Sequence, residues 1–136
     1  SNARAIWCGM NRTTKAAHLI RAAEECIAYQ ICDIVAEMNQ SASKPLSSIR
    51  VDGGPTHDQF LMQFQADMLG IPVQLSEIEE LSGAGAAFMA AIAAGISLEG
   101  EIFSSKKKLE YLPKMPHEQR GIRYQGWKNA VNMILS

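Results

Sequence analysis

The sequence predicts an α/β fold. Two observations carry that prediction. Short β-branched or apolar runs alternate with stretches whose apolar residues recur every three or four positions, the pattern of strands interleaved with helices. One segment, Ser48-Ile49-Arg50-Val51-Asp52-Gly53-Gly54-Pro55-Thr56-His57-Asp58-Gln59-Phe60, passes from a strand through a glycine turn into a helix start. The 136 residues suffice for one domain with a real core.

Taken in order, Ser1-Asn2-Ala3 is expected to be the scar of a cleaved expression tag, outside the fold. Ala5 to Met10 reads as a short apolar strand ending near Gly9. Thr13 or Thr14 is expected to cap a long helix from about Lys15 to Asn39. Ile20, Ala23, Ile27, Ile31, Ile34 and Met38 form its apolar stripe, while Glu24, Glu25, Asp33 and Glu37 mostly fall off it. Glu24 and Glu25 are adjacent, so they diverge by about 100° and cannot converge on one substrate atom; they read as a solvated face. Gln40 to Ser47 is a polar loop within the domain.

Ile49 and Val51 suit a buried strand. After the glycines, Phe60, Leu61, Phe64, Met68 and Leu69 take helical spacing, ending at Gly70 as a C-cap. Pro72 to Leu75 is a second strand and Glu77 to Leu81 a loop. Ser82 is expected to cap a third helix, Gly83 to Ala94, whose alanines and glycines suit close packing. Ser97 to Met115 reads as irregular, with Lys106-Lys107-Lys108 on a solvated surface. A last helix, about His117 to Leu135, puts Tyr124, Trp127, Val131 and Ile134 on one stripe.

Composition narrows the function. The net charge of −1 gives no reason to expect nucleic acid or an acidic membrane surface as a partner. The longest small or apolar run, Gly83 to Ile96, is too short to span a bilayer. Cys8, Cys26 and Cys32 are odd in number and lack C-x-x-C spacing, so they read as reduced thiols of a cytoplasmic protein. His18, His57 and His117 have no metal-binding spacing, and no Ser-His-Asp or Cys-His set emerges from the order.

The glycine turn is the candidate site. Gly53 and Gly54 permit backbone angles closed to other residues and let a ligand approach the main chain. Pro55 suits a first helical turn, and Thr56 or Asp58 can accept from free amides there. A strand running through glycines into a helix N-terminus suits a phosphate, though the same turn also serves plain topology. The turn is neither the G-x-G-x-x-G dinucleotide fingerprint nor a Walker A loop.

The ordered residues Val51-Asp52-Gly53-Gly54 and Phe60-Leu61-Met62-Gln63-Phe64-Gln65-Ala66-Asp67-Met68-Leu69-Gly70-Ile71-Pro72-Val73 resemble the C-terminal domain of the FGGY carbohydrate kinases, on the glycerol-kinase branch. Ile20-Arg21-Ala22-Ala23, Ile27-Ala28-Tyr29-Gln30, Gly85-Ala86-Ala87 and Arg123 to Val131 extend the resemblance over nearly the whole chain. The resemblance implies residues 4–136 as a fragment of the second domain of a ribonuclease-H-like, actin-like ATPase, with ATP and Mg²⁺ in a cleft between two domains. It implies backbone contact of Gly54 with the nucleotide, with Gly53 shaping the turn. Asp58 stands where the family usually has an asparagine that contacts the nucleotide; a carboxylate only accepts hydrogen bonds and adds charge beside an anion. Glu24 stands where an apolar residue is usual.

The resemblance further implies phosphoryl transfer to glycerol or to a pentulose such as xylulose. The catalytic aspartate and first phosphate loop belong to an N-terminal part not represented in these residues, so the chain alone is expected to be inactive. A free-standing nucleotide-binding or interaction module is the alternative. Apolar faces left by the missing part predict self-association.

Overall fold

The computed structural model describes residues 5–76, 81–96 and 109–135. The expected long helix runs over Ala16–Ser41 (α1). It is followed by strand Ile49–Val51 (β1), a 3₁₀ turn at Gly54–His57, helix Gln59–Leu69 (α2) and strand Val73–Leu75 (β2). Helix Leu81–Ala93 (α3), strand Glu110–Tyr111 (β3) and helix His117–Leu135 (α4) complete the order.

The sheet order is β1-β2-β3. β1 and β2 are parallel, with Ile49 opposite Val73 and Val51 opposite Leu75. A parallel pair needs a crossover, and α2 supplies it. β3 runs antiparallel to β2, with Tyr111 opposite Val73. Alternation sorts the rows: Ile49, Val51, Val73, Leu75 and Tyr111 pack on the core, while Arg50, Gln74 and Glu110 form a polar row on the other face.

The core lies between α1, α2 and the sheet. α1 contributes Ala28, Tyr29 and Cys32, α2 contributes Leu61, Met62, Phe64, Ala66 and Met68, and β2 contributes Val73. Tyr29 meets Phe64 edge-on at 5.6 Å and stacks on Trp127 of α4 at 5.6 Å. Asp33 fastens the same contact, accepting from Tyr124 Oη at 2.5 Å and from Trp127 Nε1 at 2.8 Å. Asp67 Oδ1 of α2 accepts from the amides of Lys114 and Met115 at 2.6 and 3.2 Å, which fixes where α4 begins. Gly70 ends α2 in the left-handed region, φ 70°, and a side chain there would overlap the Arg120 guanidinium.

Several expectations need correction. Ala5 to Met10 forms no strand, and Ile6, Trp7 and Met10 are exposed: no strand among the described residues pairs with it. Thr13 and Thr14 do not cap α1; both bond Asn11 in the preceding turn, and Lys15 is the capping residue. Ser82 lies inside α3 rather than at its cap. α3 is not closely packed among the described residues, since a Cβ on Gly85 would meet nothing within 4 Å. β3 sits in the segment read as irregular, because two residues are too few to show a period. Residues 77–80 and 97–108, with Lys106 to Lys108, lie outside the described residues.

Glu25 is not part of a solvated face. It is half-buried, bonds Arg21 Nε at 2.6 Å, receives the Tyr29 hydroxyl at 3.3 Å and lies 3.5 Å from Arg123. The apolar stripe also turns out differently. α1 buries Ala28, Tyr29, Cys32 and Val35, and leaves Ile20, Ile27, Ile34 and Met38 exposed.

Burial pushes the Cys32 thiol from 9.0 up to about 12, and burial also raises the hydroxyls of Tyr29 and Tyr124. The folded state therefore keeps protons that the unfolded chain releases above about pH 9. Stability is fully present below pH 9 and falls as pH rises toward 12. Urea midpoints measured from pH 8 to 11 are expected to decline, and Cys32→Ala is expected to make the decline shallower.

Candidate functional site at the glycine turn

β1 and β2 run in the same direction, so their carboxyl ends lie together. Ligands of open α/β sheets bind outside such ends. The chain leaves β1 through Asp52 and turns at Gly53, φ 87° and ψ 176°, angles that L side chains rarely adopt. Thr56 holds the turn twice, its amide donating to the Gly53 carbonyl at 3.0 Å and its hydroxyl at 2.7 Å. Pro55 fixes the second 3₁₀ position without needing a hydrogen-bond acceptor. Asp58 then caps α2: its Oδ1 accepts from Leu61 N at 3.0 Å and its carbonyl from Met62 N at 3.0 Å.

The three predicted site residues thus sit on one turn, and their duties differ. Gly53 is required by the backbone. Gly54 is not: its φ is not positive, it is exposed, and an added Cβ would meet nothing within 4 Å. The fold has no use for the missing side chain at position 54, which leaves an open main-chain surface that a bound group can approach. Asp58 is half-buried and serves the helix first, a role its position between turn and helix already signals.

The turn presents main chain at Gly54 and the half-buried carboxylate of Asp58. No group of three His, Cys, Asp or Glu gathers to hold a metal ion among the described residues. His57 is exposed beside the turn, while His18 Nδ1 is engaged with Lys15 N at 3.0 Å. A separate groove of about 520 Å³ lies between α1 and α4, lined in part by Asp33, Glu37, Tyr124 and Trp127. None of its lining residues belongs to the turn, and Asp33 spends both oxygens on Tyr124 and Trp127. Asp33 is the polar residue sequence reasoning missed; its partners are 91 and 94 residues away, beyond any local pattern.

Residues 1–94 match the family model described as the FGGY family of carbohydrate kinases, C-terminal domain. The chain belongs to the FGGY family. It is 43% identical to glycerol kinase 1 of Thermotoga maritima, in an alignment that takes in all of this chain and 28% of that protein. It is 42% identical to the glycerol kinase of Alkaliphilus oremlandii, over 98% of this chain and 27% of that one. Among solved structures, it superposes on Plasmodium falciparum glycerol kinase with ADP at a TM-score of 0.82 and 29% identity, covering 100% of this chain and 28% of the other. Xylulose kinase from Rhodospirillum rubrum matches at 0.70 and 26% identity, over 92% of this chain and 26% of that one. The fold is accordingly part of the ribonuclease-H-like, actin-like domain of FGGY kinases. The chain spans about a quarter of the length of these relatives.

The two glycines separate backbone need from ligand access. Gly53→Ala is expected to lower unfolding stability by about 1–3 kcal/mol, the cost of holding a side-chain-bearing residue at φ 87° and ψ 176°. Gly54→Val is expected to leave it unchanged. Asp58→Ala should cost about 1 kcal/mol through the lost cap, and Asp58→Asn little. Urea titration of the four variants checks the pattern.

Proposed function

We propose that this chain forms the adenosine side of the nucleotide cleft of an ATP-dependent polyol kinase. The observation that carries the reading is Gly54: an exposed backbone position, at the carboxyl end of β1, where a side chain is absent although the fold would accept one. A nucleotide lying against the main chain gives that absence a purpose. Gly53 shapes the turn, and Asp58 stands at its far end. The two glycerol kinases named above, at 43% and 42% identity, make glycerol the first choice of phosphoryl acceptor, with xylulose second.

Phosphoryl transfer needs a grip on the β- and γ-phosphates, Mg²⁺ ligands and a base for the attacking hydroxyl. The described residues offer backbone contact and a helix N-terminus. The remaining parts belong to an N-terminal portion of the kinase, which would also complete the site for Mg²⁺ and the acceptor. By itself the chain binds nucleotide and transfers nothing. Asp58 accepts without donating and adds negative charge at the mouth of the turn, so nucleotide phosphates meet repulsion there.

Calorimetric titration of the chain with ADP tests the site. Binding is expected, lost in Gly54→Val and several-fold tighter in Asp58→Asn. Unchanged binding in a folded Gly54→Val variant would remove the turn from the site. ATP-dependent phosphorylation of glycerol by the purified chain would overturn its assignment as a non-catalytic part.

A further inference from the structure

Arg21 joins α1 to the helix that follows the glycine turn. Its Cζ lies over the Phe60 ring, 3.7 Å from the centroid. Phe60 is the second residue of α2 and stands two places beyond Asp58, the cap on which the turn ends. Arg21 meets Phe60, the Ala28 carbonyl accepts from Gln65 Nε2 at 3.4 Å, and Tyr29 meets Phe64 edge-on. Of these three contacts between α1 and α2, Arg21 makes the one that reaches the first turn of α2. Phe60 passes it inward by stacking on Phe64, 5.7 Å between centroids.

Arg21 is itself held in place. Its Nε donates to Glu25 Oε1 at 2.6 Å, while Glu25 Oε2 accepts from Tyr29 Oη at 3.3 Å and lies 3.5 Å from Arg123 Nη1 of α4. The chain of contacts therefore runs from α4 through α1 to the start of α2. An Arg–Glu pair four residues apart supports its own helix without a partner on another. The dipole of α2 favours an anion beside its first turn rather than a cation, so helix stability does not call for Arg21 over Phe60. Holding that turn in one position gives the contact a use.

We propose that Arg21 is a positioning residue for the glycine turn. Set over Phe60, it fixes the first turn of α2, and Asp58 and Gly54 with it, in the arrangement that a nucleotide meets. Arg21 acts through Phe60 and needs no contact with the ligand. Its effect on ADP rests on the nucleotide reading of the turn; its effect on the turn itself does not.

Amide hydrogen exchange in the ligand-free chain tests the effect on the turn. Arg21→Gln keeps most of the stem and takes the cation off the ring. The amides of Thr56, Asp58 and Leu61 donate within the turn and its cap. Their exchange is expected to quicken about threefold in Arg21→Gln, the scale of one exposed cation–π contact. Lys128→Gln is the control: it takes a cation from the Tyr124 ring, 5.0 Å away within α4, and is expected to leave those amides unchanged. Unchanged exchange in Arg21→Gln would overturn the proposal, and so would equal quickening in Lys128→Gln, which marks general loosening. Calorimetry with ADP tests the effect on the ligand. The dissociation constant is expected to rise about threefold in Arg21→Gln, and by no further factor when Phe60→Leu is already in place. Independent, multiplying effects of the two substitutions would overturn action through Phe60. A wild-type chain that binds no ADP would remove the nucleotide reading, and the exchange rates alone would then decide the role of Arg21.

Discussion

Tyr29 sits where three helices meet. Its ring lies edge-on to Phe64 of α2 and flat on Trp127 of α4, while its own backbone belongs to α1. Aromatic pairs of this kind add to the burial of their large apolar surfaces, so one side chain ties together elements far apart in sequence. Asp33, one turn along α1, repeats the link by polar means through Tyr124 and Trp127. Glu25, one turn back, does so through Arg123. The placement of α2 against α1 fixes the helix that follows the glycine turn. Gly53 and Gly54 are therefore held by packing that lies well behind them.

The legibility of the chain follows the range of the forces involved. The strand, turn and helix around Gly53 and Gly54 are local, and each residue there announces its part: β-branching, positive φ, a proline at the turn and a capping Asp58. The extents of α1, α2 and α4 were likewise legible from their spacing. The inner face of α1 was not. Its most hydrophobic stripe, through Ile20, Ile27 and Ile34, outranks Ala28, Tyr29, Cys32 and Val35 in periodicity, yet the latter set is buried. A helix with two packing faces shows its stronger period first, and only contact with α2 tells which one the described domain uses. β3 was hidden for another reason: it exists because β2 offers an edge, not because Glu110 and Tyr111 have a pattern.

The turn divides labour between neighbouring glycines. Gly53 answers to the backbone, and Gly54 answers to nothing in the fold. Asp58 bonds the first turn of α2, so its carboxylate serves the helix N-terminus whatever its charge does beside the turn.

An amide NMR titration with ADP examines the proposed nucleotide site most directly, because it reports every backbone N–H at once. Shifts concentrated at Gly53, Gly54 and the amides up to Leu61, with the α1–α4 groove silent, are the predicted result. Shifts centred on Asp33, Tyr124 and Trp127, with Gly54 unmoved, would place the ligand elsewhere and contradict the assignment of the glycine turn.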